Sequence, residues 1–322
     1  MDDDIEKIAF GPVPSRRLGR SLGINNIPPK TCSYSCVYCQ LGRTSRLRIE
    51  RGEFYDPDRI LSDVESKIRQ ARRQGESVDY LTFVPDGEPT LDLRLGEEIR
   101  RLKTLGLKIA VITNSSLLGR MDVREDLLSA DWVSVKVDAV SPAIWRKINR
   151  PHGGLSRDRV LEGISEFARV FEGELATETM LLQGFNDRPE EIEKISAFVA
   201  GLKSGKSYLS IPIRPPAEKG VHPPGERSLN LAHQVFSDKS IDTELLIGYE
   251  GNAFAFTGNV EEDLLSIMSV HPMREDAVSQ FLKKAQADPD TVKRLVESGR
   301  LVGVKHKDRI FFLRKLTPGP GG

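Results

Sequence analysis

Short apolar runs alternate with segments of helical period along the first two thirds of the chain, from residue 20 to residue 214. The runs are rich in β-branched residues, and in the segments between them apolar residues recur three and four positions apart. Because this alternation is typical of strand–helix–strand units, it predicts a parallel sheet covered by helices. The six predicted strands are Ser21–Asn25, Tyr80–Val84, Lys108–Thr113, Trp132–Val137, Leu175–Leu182 and Tyr208–Ile213.

Three apolar stripes mark helices that would cover this sheet. The stripes are Ile60, Val64, Ile68 and Ala71; Val160, Ile164, Phe167, Ala168 and Phe171; and Ile192, Ile195, Val199 and Leu202. Pro189 stands where the third helix would begin, since proline is favoured at the first helical position. Six such units predict an α/β fold with a partial (βα)6 barrel of the TIM type, although the repeat alone equally allows a doubly wound sheet.

The periodic patterns stop after Arg214, where residues 215–225 are rich in proline and glycine. A stretch of this length without periodicity is typical of a lid or a domain boundary. A further helix near Leu229–Phe236 and a strand near Glu244–Tyr249 complete the first predicted domain, residues 1–255.

The last part of the chain predicts a second, smaller domain. Three helical segments and a hairpin describe a winged helix at residues 256–318, and residues 319–322 are predicted to form a disordered tail. The five elements are expected near Glu261–Val270, Arg274–Ala285, Pro289–Ser298, Leu301–Lys305 and Arg309–Leu313.

Composition limits the class of protein without identifying it. The chain has 322 residues with 47 basic and 47 acidic side chains, so its net charge does not indicate a polyanionic partner. Its Met-Asp-Asp-Asp start lacks the basic and apolar regions of a signal peptide, and no apolar run approaches the ~20 residues that span a bilayer. We therefore expect a cytoplasmic protein without a membrane segment, in a compartment that keeps thiols reduced.

Two local segments are strongly basic although the whole chain is balanced. The first, the basic collar, has eight basic residues and a single acidic one, Glu50; its basic members are Arg16, Arg17, Arg20, Lys30, Arg43, Arg46, Arg48 and Arg51. The second, the basic hairpin, has eight basic residues against Glu297 and Asp308; its basic members are Lys293, Arg294, Arg300, Lys305, Lys307, Arg309, Arg314 and Lys315.

Clustered positive charge favours an anionic partner. The collar is expected to face either an RNA backbone or an acidic electron donor such as flavodoxin or ferredoxin, and the hairpin is expected to follow a phosphate backbone. The alternatives are that the collar charges pair with carboxylates elsewhere in the chain, and that the hairpin packs on the barrel or on a protein partner.

The three cysteines of the chain lie within eight residues, as Cys32, Cys36 and Cys39. A C-x3-C-x2-C loop indicates one metal centre, and iron–sulfur clusters are normally held by four thiolates, so three would leave one iron open. A zinc site is an alternative, but it would need a fourth ligand, and the nearest histidine in sequence is His152. Buried cysteines without a metal are a second alternative.

The strand over residues 133–138 alternates apolar and polar side chains. Its valines share one face, which helices would cover, while Ser134, Lys136 and Asp138 share the other face and would point into the barrel lumen. Burial of these polar groups costs free energy unless they pair or meet a ligand. A structural Lys136–Asp138 ion pair is the alternative to a role in binding or catalysis.

The cysteine spacing, with Tyr38 just before the last cysteine, resembles the cluster loop of the radical S-adenosylmethionine (SAM) superfamily. The resemblance implies a four-iron four-sulfur (4Fe-4S) cluster held by the three cysteines, with the amino and carboxylate groups of SAM on the open iron. It further implies reductive cleavage of SAM to methionine and a 5′-deoxyadenosyl radical, which abstracts hydrogen from a substrate.

A second match follows the second predicted strand. Asp86-Gly87-Glu88-Pro89 resembles the Gly-Gly-Glu motif with which the family holds the amino group of SAM. Only Gly87 and Glu88 match, because Asp86 replaces the first glycine.

Further residues are predicted to contact SAM because barrel active sites lie at the carboxyl ends of strands. Asn114 and Ser115, after the third strand, and Glu178, in the fifth, resemble positions from which the family contacts the ribose or the sulfonium–carboxylate region. Arg214 would take the SAM carboxylate or a substrate anion, or form a surface ion pair. The predicted SAM-binding set is Tyr38, Gly87, Glu88, Asn114, Ser115, Glu178 and Arg214, with Lys136 and Asp138 as catalytic candidates on the substrate side.

A subgroup resemblance rests on three segments and covers about residues 10–215. Phe10–Gly19, Lys136–Ala139 and Asn149–Gly154 are similar to segments of proteins related to the tRNA wyosine-forming enzymes. In those relatives a lysine forms a Schiff base with pyruvate. Such a lysine needs a lowered pKa, and Asp138 would raise the pKa of Lys136, so the Schiff base is not part of the prediction.

Three functions are compatible with these patterns. The first is a radical SAM enzyme that acts on RNA, such as a tRNA base, with the basic hairpin as a docking arm. The second is a radical SAM enzyme that acts on a protein or peptide. The third is a nucleic-acid-binding regulator whose cluster only senses iron or oxygen, and this third function predicts no SAM pocket.

Overall fold

A curled sheet of eight strands is the frame of the molecule. The computed structural model describes residues 8–247, 254–269, 271–306 and 308–315. The strands are β1 (Ala9–Ser15), β2 (Gly19–Ile24), β3 (Thr31–Cys32), β4 (Arg46–Leu47), β5 (Tyr80–Phe83), β6 (Lys108–Thr113), β7 (Trp132–Lys136), β8 (Glu174–Met180), β9 (Lys206–Ser210), β10 (Thr243–Leu246), β11 (Met273–Arg274), β12 (Leu301–His306) and β13 (Arg309–Arg314). The helices are α1 (Pro57–Arg73), α2 (Leu95–Lys103), α3 (Met121–Leu127), α4 (Pro142–Asn149), α5 (Arg157–Val170), α6 (Pro189–Leu202), α7 (Glu226–Asp238), α8 (Val260–Met268), α9 (Glu275–Lys284) and α10 (Thr291–Glu297), with a 3-10 turn at Pro89–Leu91.

The order of the strands distinguishes the two folds that the repeat allows. The sheet runs β1-β2-β5-β6-β7-β8-β9-β10, parallel from β2 to β10, with β1 antiparallel to β2. A doubly wound sheet reverses its strand order at a switch point, whereas this order proceeds in one direction. The prediction of a partial barrel is therefore confirmed.

All six predicted strands exist, as β2 and β5 to β9, with ends displaced by at most three residues. The prediction omits β1, which contains two prolines. Proline cannot donate a hydrogen bond to a ladder and is confined to edge strands, and β1 is such an edge strand. The strand predicted near Glu244–Tyr249 is β10, and residues 248 and 249 lie outside the described residues.

The predicted apolar stripes pack between the helices and the outer face of the sheet. The four stripe residues of α1 are buried, and so are the four of α6, which begins at Pro189 as predicted. In α5, Val160, Ile164 and Phe167 are buried, while Ala168 is partly buried against the same cluster. The valines of β7 belong to this cluster too, so the polar residues of β7 face the lumen.

The turn between β1 and β2, residues 15–19, lies beneath the lumen at the amino ends of the parallel strands, and we call it the floor turn. Arg16 in this turn donates to the carbonyl oxygen of Leu245 at 3.0 Å and pairs with Glu244 at 3.2 Å. Leu18 packs in one cluster with inward-facing residues of five strands, namely Ala110, Trp132, Ala176, Tyr208 and Leu246. The floor turn therefore closes the base of the lumen and links the two ends of the sheet.

The carboxyl-terminal segment contains the predicted helices as α8, α9 and α10 and the predicted hairpin as β12 and β13. A two-residue strand, β11, was not predicted and completes a small sheet of order β11-β13-β12. Val270, Lys307 and residues 316–322, which belong to these predictions, lie outside the described residues.

This segment packs directly on the barrel. Its apolar side chains form one cluster with Phe10 and Val13 of β1, and the buried Lys67 of α1 pairs with Asp263 of α8 at 2.7 Å. The division into a barrel and a winged-helix domain stays a prediction. In the part of the chain that the structure describes, no helix has both the length and the apolar character to cross a membrane.

Candidate active site

The cysteine loop begins at β3 and packs against the end of α4. Val37 N donates to the Ile148 carbonyl oxygen at 2.9 Å, and His152 N donates to that of Ser33 at 2.9 Å. Burial raises the pKa of all three thiols, to about 12 for Cys36. Because metals bind the thiolate form, deprotonation of these thiols is coupled to metal binding.

One cavity of about 310 Å³ brings the cysteines and the polar strand ends together. Its lining includes Cys32, Cys36, Cys39, Tyr38, Gly87, Asn114, Lys136, Glu178 and Arg214. Glu88, Ser115 and Asp138 are buried behind this lining. Small-molecule sites commonly have volumes of roughly 300–1,000 Å³, so the chamber has the size of a ligand site.

Gly87 allows its turn to lie against the cysteine loop. Glu88 N donates to the Thr31 carbonyl oxygen at 3.1 Å, next to Cys32. A Cβ atom on Gly87 would overlap that same carbonyl oxygen, so a larger residue would push the two segments apart.

The Glu88 carboxylate points into the protein. It is fully buried and accepts hydrogen bonds from Thr90 N at 3.1 Å and Oγ1 at 2.6 Å, from Thr113 Oγ1 at 2.6 Å and from Asn114 N at 2.7 Å. Burial raises the pKa of Glu88, although these donors favour the charged form. Glu88 thus fixes the loop after β6, and its direct contact with SAM stays a prediction.

Asn114 and Ser115 are neighbours in that loop with different contacts. Asn114 Nδ2 lies 3.4 Å from Cys32 Sγ and 3.0 Å from Ser33 Oγ. Ser115 is buried at a left-handed φ of 69°, and its Oγ accepts from Lys136 N at 2.7 Å. Positive φ at a residue other than glycine is uncommon and clusters at functional sites. Asn114 therefore supports the cysteine loop, whereas Ser115 ties the loop to β7.

Lys136 and Glu178 form the charged centre of the cavity. Lys136 Nζ lies 2.8 Å from Glu178 Oε1, Arg17 pairs with Glu178 Oε2, and Ser210 Oγ donates to Oε1 at 3.1 Å. Burial opposes ionisation of Glu178, but Lys136 and Arg17 lower its pKa to about 2. Burial also lowers the pKa of Lys136, yet Glu178 and then Asp138 raise it above its ordinary value. Lys136 is therefore protonated at neutral pH.

Asp138 takes no part in that ion pair. It accepts hydrogen bonds from the Tyr38 hydroxyl and from Asn149 Nδ2, the latter at 2.7 Å. The predicted alternative, a Lys136–Asp138 pair, is replaced by the pair of Lys136 with Glu178 on the neighbouring strand. Asp138 thus holds Tyr38, whose ring centre lies 5.3 Å from Lys136 Nζ.

Arg214 is buried and lies at the cavity wall. Its Nη1 donates to Gln40 Oε1 at 2.7 Å, and its Nη2 lies 2.7 Å from Nε2 of the buried His271. Burial and then the charge of Arg214 lower the pKa of His271 well below its ordinary value, so the neutral ring accepts this bond. Arg214 therefore links the residue after Cys39 to the carboxyl-terminal segment.

Most of the basic collar is paired within the chain. Six of its members contact carboxylates: Arg16 with Glu244, Arg17 with Glu178, Arg20 with Glu76, Lys30 with Asp86, Arg43 with Glu218, and Arg51 with Asp122 and Asp126. For these six the alternative of internal pairing is confirmed, which leaves the collar less charge for an external partner.

Four residues of the site were missed by the sequence reasoning. Arg17 and Asn149 lie in segments that carry the subgroup resemblance, and Gln40 follows Cys39, so each had a local signal. His271 is 57 residues from its partner Arg214 and lies in no periodic pattern that points to the site.

The residues present fit a cluster with one open iron. Two cysteine sulfurs accept hydrogen bonds from side-chain amides: Asn114 Nδ2 lies 3.4 Å from Cys32 Sγ, and Asn149 Nδ2 lies 3.5 Å from Cys36 Sγ. Hydrogen bonds to the sulfurs are one means of tuning the reduction potential of such clusters. Within the described stretches, no three His, Cys, Asp or Glu side chains are grouped to hold a single metal ion, as a zinc site would need.

Comparison with known proteins places this site in context. The family model of the Radical SAM superfamily matches residues 26–199. The UPF0026 protein MJ1312 of Methanocaldococcus jannaschii is 48% identical over 313 residues, which is 96% of each chain.

Two solved structures are similar in fold. A radical SAM methyltransferase from Sphaerobacter thermophilus has a TM-score of 0.52 and 15% identity over 70% of this chain and 66% of its own. TYW1 with a lysine-pyruvate adduct bound has a TM-score of 0.51 and 16% identity over 69% of this chain and 75% of its own. At these identities the likeness concerns the fold alone.

Proposed function

The chain belongs to the radical SAM superfamily, and on that premise we propose that Cys32, Cys36 and Cys39 hold the 4Fe-4S cluster that this family uses with SAM. When bound, the cluster supplies the electron that cleaves SAM to methionine and the 5′-deoxyadenosyl radical for hydrogen abstraction. The observation that supports the proposal is the single cavity lined by the three cysteines together with the polar strand ends.

The side chains of this chain would position the reactants and exclude water. Tyr38, Gly87, Asn114, Glu178 and Arg214 line the cavity and are the proposed SAM contacts. Glu88 and Ser115 belong to the proposed SAM-binding set through the backbone that they hold, since one fixes the loop after β6 and the other joins that loop to β7.

Lys136 and Asp138 are the proposed residues on the substrate side. Lys136 is held as an ammonium by Glu178, so it would donate hydrogen bonds or stabilise negative charge, and it lacks the lowered pKa of a nucleophilic lysine. Asp138 would act through Tyr38, because it accepts a hydrogen bond from the Tyr38 hydroxyl.

The test is anaerobic reconstitution with iron and sulfide, reduction with dithionite, and chromatographic detection of 5′-deoxyadenosine after SAM is added. We expect product from the native chain and loss of product in Cys36→Ala, because the cluster would lose one of three ligands. Ser35→Ala is the matched control and should keep the product. Cluster spectra without SAM binding or cleavage would contradict the proposal and favour the iron or oxygen sensor.

The reduction needs a partner, because enzymes of this family take an electron from a donor. We propose an acidic protein such as flavodoxin or ferredoxin. Two collar residues, Arg46 and Arg48, are not among the six that pair with carboxylates. Arg46 is exposed, and the Arg48 guanidinium lies 5.5 Å from the Phe54 ring centre. These arginines would attract an acidic surface.

We propose RNA, such as a tRNA base, as the substrate class. Lys305, Arg309 and Lys315 of the basic hairpin are exposed. Two other hairpin residues have acidic neighbours within the chain, Arg294 with Asp288 and Arg300 with Glu261. The exposed cations would contact phosphates without reading sequence.

Filter binding of tRNA at about 50 and 200 mM salt tests this substrate class. We expect steep loss of affinity with salt, and a lower salt slope, by about two, in Lys305→Glu/Arg309→Glu. Arg227→Glu, which changes an exposed arginine of α7, should leave the slope as it is. If affinity is independent of salt and of the hairpin charges, a protein or peptide substrate replaces RNA.

A further inference from the structure

Asn149 is the last residue of α4 and lies against the cysteine loop. It is buried, and its carbonyl oxygen accepts a hydrogen bond from Ser35 N at 3.0 Å. Its side-chain nitrogen, Nδ2, lies 2.7 Å from Asp138 Oδ2 and 3.5 Å from Cys36 Sγ. An amide NH2 group has two hydrogens, so this side chain can donate to the carboxylate and to the sulfur at the same time. The proposed SAM site gives Asn149 no role.

The carboxylate of Asp138 determines which end of the Asn149 amide faces the sulfur. Asp138 is buried, and its Oδ2 accepts from the Tyr38 hydroxyl as well as from Asn149. Its Oδ1 accepts from Met180 N at 2.9 Å. Since a carboxylate only accepts hydrogen bonds, it must meet the nitrogen of Asn149 and not the oxygen. That nitrogen is the atom beside Cys36 Sγ, so Asp138 holds a hydrogen-bond donor at this sulfur.

Asn114 places a second amide nitrogen at another sulfur. Its Oδ1 accepts from Ser116 N at 2.9 Å, and its Nδ2 lies 3.0 Å from Ser33 Oγ and 3.4 Å from Cys32 Sγ. A backbone N–H group can only donate, so it fixes the oxygen of Asn114 on its own side and the nitrogen on the side of the sulfur. The surroundings therefore set the orientation of the amide at both sulfurs.

We infer that Asn149 and Asn114 raise the reduction potential of the cluster through its cysteine ligands, and that Asp138 is the positioning residue for Asn149. Reduction adds one electron to the cluster, and the positive end of an N–H dipole stabilises the added negative charge on the sulfur that it faces. A higher potential makes the cluster easier to reduce for an electron donor of limited reducing strength. The inference deepens the proposed function and rests on it, since it takes the three cysteines as the ligands.

A redox titration of the cluster-loaded protein, followed by electron paramagnetic resonance before SAM is added, tests the two amides. We expect Asn149→Leu and Asn114→Leu each to lower the midpoint potential, because leucine has a similar volume and no hydrogen-bond donor on its side chain. The ratio of reduced to oxidised cluster at a fixed potential should fall about threefold or more, which corresponds to about 28 mV for a one-electron couple. If one variant fails to hold the cluster, the other still decides whether an amide at a sulfur acts in this way.

Asn186→Leu is the matched control. Asn186 is a buried asparagine whose Nδ2 donates to the carbonyl oxygens of Asp138 and Met180, both at 2.8 Å, instead of to a sulfur. This variant removes a buried amide from the same neighbourhood and should leave the potential as it is. An equal drop in Asn186→Leu would mean that any loosening of this region lowers the potential, and it would overturn the inference.

Asp138→Asn tests the positioning role, both in the native chain and in Asn149→Leu. Loss of a nearby negative charge raises the potential in both backgrounds. In the native background, Met180 N retains the oxygen of the new amide, so the new nitrogen faces Asn149. The Asn149 amide then turns its oxygen toward Cys36 Sγ, which offsets part of the rise. We therefore expect the larger rise in the Asn149→Leu background, and equal rises would overturn the positioning role.

The inference and the proposed function fail in different ways. A native potential in both leucine variants overturns the inference, whether or not the same preparations make 5′-deoxyadenosine. A cluster whose potential depends on the two amides upholds the inference even if SAM cleavage is absent. A native chain that takes up no 4Fe-4S cluster overturns the proposed function, and the inference with it.

Discussion

Asp92 and Glu98 form a buried pair of carboxyl groups beside the turn that contains Gly87. Both are at most 1% exposed, and each affects the pKa of the other. Asn26 Nδ2 lies 3.4 Å from Glu98 Oε2 and donates to the Pro89 carbonyl oxygen at 3.2 Å. Burial, and for Glu98 also the charge of Asp92, raise the pKa of both groups. At least one proton is therefore retained on the pair at neutral pH.

This retained proton predicts a pH-dependent stability. The folded pair binds more protons than the unfolded chain, so the free energy of unfolding should fall as pH rises from 4.5 toward about 9. Glu98→Gln keeps a polar side chain without the charge and should remove much of this slope. Denaturant unfolding at pH 5, 7 and 9 measures it.

Glu97→Gln is the control on the same helix, because Glu97 is partly exposed and pairs with Arg101. An unchanged slope in Glu98→Gln, or an equal change in Glu97→Gln, would contradict the assignment to the buried pair.

The sequence predicted which residues lie near the site, but not whether their side chains point toward the cavity or into the protein. The cysteines were found because their spacing is local, and Gly87, Asn114 and Glu178 were found because strand ends share one edge of the sheet. The same reasoning included Glu88, Ser115 and Asp138, which the structure buries behind the cavity lining. Whether a carboxylate at a strand end faces a ligand or the protein depends on donors elsewhere, such as the threonines around Glu88.

At the scale of elements, the local pattern of hydrophobic residues was enough to predict most strands of the sheet. The alternation of strands and helices located β2 and β5 to β9, and the stripes located α1, α5 and α6. β1 was not predicted because its prolines argue against a central strand, and the sequence alone does not show that this strand lies at an edge of the sheet. The position of the floor turn was not predicted because Leu18 packs against residues that are distant in sequence, from strands that extend to residue 246.

At the scale of the whole molecule, the carboxyl-terminal segment and the barrel share buried contacts that a domain boundary near residue 255 would not suggest. Phe10 and Val13 belong to the cluster of α8 and α9. Lys67 pairs with Asp263, which also accepts from Thr257 N at 2.7 Å. These contacts predict that the two parts unfold together.

Asp263→Ala tests this coupling, because it would leave Lys67 buried without its partner carboxylate. We expect a loss of about 3 kcal/mol or more in the free energy of unfolding, in a single transition followed by calorimetry and denaturant titration. Glu65→Ala removes a surface pair with Arg69 and should cost less than about 1 kcal/mol. Two separate transitions in the native chain would instead support two independent domains.

The bond between Arg16 and Glu244 joins residues 228 positions apart. During synthesis, residues 16 and 17 and the cysteine loop leave the ribosome long before β10 exists, so the base of the chamber has nothing to close against until the chain is three quarters made. Contacts between residues so far apart in sequence form late, because closing a long loop costs entropy before the contacts that it makes can stabilise the fold. The nascent protein therefore carries its three thiols in an unfinished chamber for most of its translation.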